Sequence, residues 1–170
     1  YFIPAHGFVL TTAPVVREGS AFTVVLDEGQ RLQARLVGAD DRTDLALLKV
    51  DRQQPFPFVG FARGPSRVGE WVLAIGNPFG LGGTVTAGIV SARGRDIGAG
   101  PYDDFLQVDA PVNRGNSGGP SFNLDGEVIG INTAIYSPSG GSVGIGFAVP
   151  SDLARGVIEQ LRNGGRVERG

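Results

Sequence analysis

Glycine and proline recur at short intervals along the whole chain and leave little room for long helices. The 170 residues include 28 glycines and 11 prolines, about twice the average share of these two residues in proteins. Because both weaken the interior of a helix, their distribution argues against a helical bundle or a coiled coil. The apolar runs between them are short and end at turn residues, which is typical of β-strands. The sequence therefore predicts an all-β protein.

The expected strands fall into two groups. A proline-rich stretch at 51–67 separates them and predicts a linker. In the first group, the runs 21–26 and 30–37 flank a glycine-bearing turn and predict a hairpin. Two such groups predict two small antiparallel barrels of six-stranded type. The other strand candidates are 8–10, 44–50, 71–75, 84–92, 105–108, 127–135 and 145–149.

One amphipathic helix is predicted near the end of the chain, at about 151–163. Ser151 or Asp152 can cap its start, and Gly164 suits its C-terminal cap. One face is apolar, with Leu153, Val157, Ile158 and Leu161. We expect a single domain over 1–170, with an N-terminal barrel at about 1–60, a C-terminal barrel at about 66–150 and this closing helix.

The composition excludes several classes of function. The chain has no cysteine, which rules out disulfides, thiolate metal sites and a cysteine nucleophile. A formal net charge of -2 with scattered basic residues indicates no nucleic-acid partner. With one histidine, a metal site would need carboxylates, and the pairs 40–41 and 103–104 are expected to be solvated turns. Nucleotide-binding glycine motifs are also absent, so we predict no metal and no cofactor.

The ends of the sequence predict a fragment of a longer protein. No methionine is present, so Tyr1 is not expected to be a translation start. No apolar run approaches the ~18 residues that a membrane-spanning helix needs.

A glycine-rich segment at 113–120, with the sequence NRGNSGGP, carries the strongest chemical signal. Glycines on both sides of Ser117 allow a sharp bend that presents its hydroxyl at a surface. In such a bend the N–H groups of Gly115 and Ser117 can converge on one point and form an oxyanion hole for acyl transfer. The alternative is a glycine-rich turn in which the serine has no role. The segment alone leaves both interpretations open.

Five longer segments extend this signal over nearly the whole chain. They read RTDLALLK at 42–49, VGEWVLAIGNPFGLG at 68–82, GNSGGP at 115–120, GINTA at 130–134 and GIGFAVP at 144–150. With these segments the chain resembles the HtrA/Deg serine proteases. The resemblance implies a double barrel of the trypsin/chymotrypsin type, usually followed by one or more PDZ domains. The last residues, 165–170, resemble the link into the first PDZ domain.

The resemblance also implies the site residues. Ser117 would be the nucleophile and Asp44 the acid of the catalytic triad, and the backbone of Gly115, Asn116 and Ser117 would form the oxyanion hole. An activation-sensing loop would lie at about 94–103. The specificity pocket, which would favour small or medium aliphatic side chains, would be lined by Val112, Tyr136 and Ile145.

The third member of the triad is missing from its expected position. The family carries a histidine in a Thr-Asn-x-His-Val-Val stretch after a short strand, whereas residues 7–16 of this chain read GFVLTTAPVV and place Pro14 in the histidine slot. The spacing from Pro14 to Asp44 follows the family pattern, so no gap hides the base elsewhere. His6 lies before the strand and is expected to be a solvated turn residue. Without a base, a serine hydroxyl is a poor nucleophile.

Two functions follow from this departure. The first is an HtrA/DegP-like serine endopeptidase domain of extracytoplasmic protein quality control, which cleaves unfolded polypeptides but is inactive or strongly impaired because of Pro14. The alternative is a pseudoprotease, a degenerate protease domain that acts as a peptide-binding, chaperone-like or scaffolding module. The resemblance implies a full-length protein that is periplasmic or otherwise extracytoplasmic, with membrane anchoring left open, and that forms a homotrimer and carries its own PDZ domains. The family's N-terminal strand and loop ahead of Tyr1 are absent, which predicts weaker trimerisation of these 170 residues.

Overall fold

The computed structural model describes residues 1–3, 7–16, 19, 21–26, 28–51, 56–77, 83–95, 105–112, 116–135 and 144–168. Over these residues the chain forms ten strands and two helices. The strands are β1 (Phe8–Thr12), β2 (Ala21–Val25), β3 (Arg31–Asp40), β4 (Leu45–Val50), β5 (Trp71–Gly76), β6 (Thr84–Arg95), β7 (Phe105–Val108), β8 (Pro120–Phe122), β9 (Val128–Ile135) and β10 (Gly146–Pro150). The helices are α1 (Ala13–Val16) and α2 (Ser151–Gly164).

The second half of the chain folds into a closed antiparallel barrel. Its strand order is β10-β7-β6-β5-β8-β9, with β10 joining β7 to β9. Side chains alternate along the strands, so Val72 and Ala74 of β5 are fully buried while Trp71, the first residue of β5, is exposed. The barrel interior is filled by valine, alanine, leucine and isoleucine side chains of modest size. This barrel and the mostly β fold confirm the predicted fold class.

The first half forms a four-stranded antiparallel sheet with the order β1-β4-β3-β2. The predicted hairpin is confirmed as β2–β3, with Ala21 opposite Arg35 and Val25 opposite Arg31. β4 is apolar along almost its whole length because both of its faces are covered. Leu45 and Leu47 pack into the core that it shares with α2, and alternate residues pack into the core of the first half.

Helix α2 closes the molecule by packing against both halves. Its buried residues Ala154, Val157, Ile158 and Leu161 join a core that includes Leu45 and Leu47 of β4 and Ile131 of β9. None of the helices in the described part of the chain is long and apolar enough to span a membrane.

Both predicted caps of α2 are wrong by one residue. Pro150 is the N-cap, with φ −60° and ψ 143° and no side-chain cap hydrogen bond, because β10 runs directly into the helix. Ser151 is therefore already helical. At the other end, Gly165 rather than Gly164 adopts the left-handed conformation, with φ 71°, and its N–H donates to Leu161 O at 2.9 Å.

Candidate active site

Ser117 lies in a tight turn between β7 and β8. Gly119 N–H donates to Asn116 O at 2.9 Å and closes the turn, while Gly118 N–H donates to Asn132 O at 2.8 Å. Asn132 N–H in return donates to Gly119 O at 3.0 Å. Two backbone hydrogen bonds thus fix the turn onto β9. The half-buried Ser117 Oγ lies 3.4 Å from Thr133 O, a long contact that holds its proton weakly.

The two glycines after Ser117 are required by geometry. Gly118 has a φ of +84°, and a Cβ at this position would lie 2.9 Å from Thr11 Oγ1 and 3.3 Å from Thr12 N. A Cβ on Gly119 would overlap Ile75 O and lie 2.9 Å from Asn116 O. The turn can therefore adopt its path only with glycine at both positions. The same contacts show that it packs against the end of β1.

Asp44 immediately precedes β4 and has an unusual backbone conformation. Its φ of 65° is the one positive value among the non-glycine residues that the structure describes. The preceding turn is held by Asp40, which is buried at the end of β3 and not in a solvated turn as predicted. Its carboxylate accepts hydrogen bonds from Thr43 Oγ1 at 2.5 Å and Thr43 N–H at 3.2 Å. Such a conformation costs about 1–3 kcal/mol and is concentrated at functional sites.

Pro14 is the second residue of the short helix α1, which directly follows β1. Ala13 N–H donates to Asp44 O at 2.7 Å, which ties the start of α1 to the start of β4. The preceding residues of β1 contact the Ser117 turn, as described above. Pro14 itself is exposed and fits the first turn of a helix, where N–H groups have no intrahelical partner. Its ring offers no group that accepts a proton.

The remaining predicted site residues are only partly described. Val112 is buried, and a Cβ on Gly146 of β10 would lie 3.2 Å from Val112 Cγ2. Ile145, the neighbour of Gly146 in sequence, is half-buried against the core shared with α2. Val112 and Ile145 thus pack into different clusters, Val112 inside the barrel and Ile145 against the core shared with α2. Gly115, Tyr136, His6 and residues 96–103 of the predicted sensing loop lie outside the described residues.

Asn132 and Ser121 support the turn from behind and were not identified from the sequence. Both are fully buried, and Ser121 Oγ donates to Asn132 Oδ1 at 2.7 Å. Among the residues that the structure describes, Asn132 Nδ2, Asn116 Oδ1 and Thr133 Oγ1 have no hydrogen-bond partner. The available signal was an asparagine within an otherwise apolar strand, since a buried amide needs a specific partner.

The geometry agrees with three comparisons with known proteins. The model of the trypsin-like peptidase domain matches residues 2–131. The chain is 64% identical over its whole length to a probable periplasmic serine endoprotease DegP-like from Rhizobium meliloti (strain 1021), and equally to its namesake from Brucella suis biovar 1.

Solved structures of serine proteases are also similar to this chain in both fold and sequence. The HtrA-type protease AlgW with decapeptide superimposes with a TM-score of 0.93 and 48% identity, over 99% of this chain and 52% of that chain. The serine endoprotease from Yersinia pestis gives a TM-score of 0.88 and 43% identity, over 99% of this chain and 58% of that one.

The match covers all of this chain but only 34% of the curated relatives, so the chain spans about a third of their length. The predicted family is nevertheless confirmed, because the family model, the sequence identity and the structural superposition agree. The chain belongs to the trypsin-like serine peptidases and is a protease domain of the HtrA/DegP type.

Proposed function

We propose that this domain is a serine endopeptidase unit of extracytoplasmic protein quality control whose catalysis is disabled by Pro14. Ser117 is the nucleophile, Asp44 is the acid of the triad, and the backbone of Gly115, Asn116 and Ser117 forms the oxyanion hole. The substrate is an unfolded or extended polypeptide. Val112, Tyr136 and Ile145 line the pocket for a small or medium aliphatic side chain.

One observation carries the proposal. The structure packs the Ser117 turn against Thr11 and Thr12, and it ties Ala13 to Asp44 through a backbone hydrogen bond. The next residue, Pro14, is therefore close to where a base would have to act between serine and aspartate. A side chain without a proton acceptor at that point leaves the Ser117 hydroxyl unactivated.

The chemical consequence is large. Removal of the histidine from a serine-protease triad lowers turnover by about 10⁶, and the oxyanion hole alone leaves a residual ~10³–10⁴ over the uncatalysed reaction. That residual rate is too low for degradation of protein substrates. The hydrogen bonds that close the Ser117 turn and fix it to β9 support the expectation that restoration of one side chain restores catalysis.

The alternative proposal is a pseudoprotease that binds extended polypeptide without cleaving it. The same observation favours it, because a proline at the base position is compatible with the fold of α1 while the substrate-binding surface is kept. The two proposals differ in the expected effect of Pro14→His: the first predicts a gain of proteolytic activity, and the second predicts none.

The test compares casein cleavage by three forms of the protein: the chain as it stands, Pro14→His, and Pro14→His with Ser117→Ala. We expect no measurable cleavage by the first, a gain of at least about 10²-fold for the second, and loss of that gain in the third. Cleavage by the unmodified chain would show that another residue supplies the base. If Pro14→His folds but does not cleave, the pseudoprotease proposal is favoured.

We propose that the full-length protein acts outside the cytoplasm. The support is the naming of the curated relatives as periplasmic. Their length, about three times that of this chain, is consistent with PDZ domains after residue 170. Membrane anchoring of the longer protein also remains part of this proposal.

We further propose that the full-length protein forms a homotrimer, in which the outer face of β5 and β6 adds to the N-terminal contacts that the family resemblance implies. Three apolar cross-strand pairs face outward there: Trp71 with Ile89, Leu73 with Ala87, and Ile75 with Val85. Trp71 and Val85 are each 59% exposed. An apolar face of this extent on a sheet is typical of a protein–protein contact.

A further inference from the structure

The side chain of Asn116 enters the end of the C-terminal barrel beneath the Ser117 turn. Val72 and Ala74 of β5 belong to the barrel interior, and the alternation of side chains along a strand directs Gly76 of β5 inward as well. A Cβ built on Gly76 would lie 2.9 Å from Asn116 Oδ1. The amide of Asn116 therefore occupies the inward space that a side chain at position 76 would fill.

Asn132 enters the same end of the barrel from β9. Its partner on β10 is Ala148, which belongs to the barrel interior. Its Oδ1 accepts a hydrogen bond from Ser121 Oγ, and Ser121 lies opposite Ala74 of β5. Asn116, Ser121 and Asn132 thus form a polar layer at the end of a barrel core made of apolar side chains.

The two amides of the polar layer carry complementary groups without a partner. Asn116 is 2% exposed and Asn132 is fully buried. Within the described part of the chain, neither the acceptor Asn116 Oδ1 nor the donor Asn132 Nδ2 forms a hydrogen bond. Buried polar atoms of this kind are rare, because they have lost their hydration without replacement. One acceptor and one donor at the same barrel end can be satisfied by a single shared partner.

Small residues around the polar layer restrict what this partner can be. Ala74 and Gly76 line it from β5, Ala148 lines it from β10, and Gly130 lies opposite Ser121. A Cβ on Gly130 would lie 3.0 Å from Ala148 Cβ, so Gly130 also faces the interior. None of these four residues offers a polar side chain. The partner must be very small and must both donate and accept, as a buried water does between otherwise unpaired groups.

We propose that one water molecule bridges Asn116 Oδ1 and Asn132 Nδ2, and that Asn132 and Ser121 thereby position the oxyanion hole. The inference rests on the proposed function, because it concerns the hole assigned to the Ser117 turn. The water accepts a hydrogen bond from Asn132 Nδ2 and donates one to Asn116 Oδ1, while Ser121 orients the Asn132 amide. The carbonyl of Asn116 belongs to the same peptide unit as the N–H of Ser117. Anchoring the Asn116 side chain therefore restricts the direction of that N–H.

The bridge is tested by NMR on the ¹⁵N-labelled chain as it stands, which requires no proteolytic activity. We expect cross-peaks between water and the Nδ2 protons of Asn132 in both laboratory-frame and rotating-frame Overhauser spectra, with the signs of a long-lived bound water. Asn132→Ala identifies these resonances by their loss. The half-buried Asn123 is the internal control, because its Nδ2 donates to Glu127 Oε1 at 3.1 Å, and it should give no such signal. Absence of the signal at Asn132, or equal signals at both side chains, would overturn the bridge.

A double-mutant cycle in urea unfolding tests whether the two amides act together. Asn116→Ala and Asn132→Ala each remove one end of the bridge, so each should lower the urea midpoint of the unmodified chain. Because the bridge is already lost in either single variant, the double variant should lose clearly less than the sum of the two shifts. Additive shifts would show that the amides act independently and would overturn the bridge.

Turnover distinguishes positioning from a purely structural role. In the Pro14→His background, Asn132→Ala and Ser121→Ala should each lower kcat for a peptide substrate by about tenfold or more, because a displaced oxyanion donor stabilises the transition state less. KM should change by no more than about twofold. Val90→Ala, in the apolar core of the same barrel, should lower the urea midpoint and leave kcat unchanged.

The outcomes separate this inference from the proposed function. Equal losses of kcat for Val90→Ala and Asn132→Ala, or no loss for either, would overturn the positioning role. If Pro14→His folds but does not cleave, the proposed function fails and the positioning role fails with it. The water bridge is then still decided by the Overhauser signals and the urea cycle, both of which use the chain with Pro14 in place.

Discussion

Two features require glycine at position 118 of the Ser117 turn, its left-handed backbone and its close approach to β1. Replacement of Gly118 by alanine, compared with a matched control, should separate their contributions to the free energy of unfolding. Gly118 has a φ of +84° and contacts β1, whereas Gly126, between β8 and β9, has a φ of +76° with nothing within 4 Å of an added Cβ. Gly126→Ala therefore measures backbone strain alone. Gly118→Ala measures the same strain plus the contact with Thr11 Oγ1 at 2.9 Å and Thr12 N at 3.3 Å.

The expected magnitudes follow from these two terms. A left-handed alanine costs about 1–2 kcal/mol relative to glycine, partly offset by reduced freedom of the unfolded chain. Overpacking against neighbours that cannot move freely adds about 1–3 kcal/mol. Gly126→Ala should thus lower the free energy of unfolding by about 1 kcal/mol, and Gly118→Ala by about 2–4 kcal/mol.

Urea unfolding followed by tryptophan fluorescence measures the difference. A slope of about 2 kcal/mol per molar urea converts it into a midpoint separation of about 0.5–1.5 M between the two variants. Thr11→Ala removes the nearest atom, so its combination with Gly118→Ala should show a favourable coupling energy of about 1 kcal/mol. Equal midpoints for Gly118→Ala and Gly126→Ala, with no coupling to Thr11, would refute the described packing of the turn against β1.

Two further substitutions test the support of the turn and the outer face of the barrel. Ser121→Ala leaves Asn132 Oδ1 buried without its donor and should lower the free energy of unfolding in urea by about 1–3 kcal/mol. Thr23→Ala, at an exposed position, should change it by no more than about 0.5 kcal/mol. Similar values for both variants would contradict a structural role of the Ser121–Asn132 hydrogen bond. In the full-length protein, Trp71→Ser should lower the mass measured by light scattering across a concentration series, while Val68→Ser, similarly exposed but outside the β5–β6 face, should not. An unchanged mass for Trp71→Ser would exclude this face as the trimer contact.

Local signals explain what could be predicted of the fold. The β2–β3 hairpin and α2 were identified because turn glycines and helical periodicity act between residues that are near in sequence. The N-cap of α2 was displaced because Pro150 serves both the end of β10 and the start of the helix. In the sequence, the end of a strand and the start of a helix are predicted from separate patterns. In the structure, β10 ends at Pro150 and α2 begins at the next residue.

The site required long-range information. The residue type of Ser117 and its glycines indicated acyl-transfer chemistry, and the family resemblance supplied Asp44. The positive φ of Asp44 and the pairing of Asn132 with Ser121 were not predicted, because both depend on how distant segments meet. The family resemblance had already placed Pro14 in the histidine slot, and the structure adds that the preceding residue, Ala13, donates its N–H to Asp44 O.

Closure of the C-terminal barrel has a consequence for the order of folding during synthesis. β10 pairs with both β7 and β9, so these two strands keep unpaired edges until residue 150 has left the ribosome or the translocation channel. α2 then packs against β3 and β4 of the first half, which are more than a hundred residues earlier in the chain. Such distant pairings slow folding because loop closure precedes the gain in contacts. The nascent chain therefore passes through a state in which the edges of β7 and β9 are open to pairing with another chain until β10 closes the barrel.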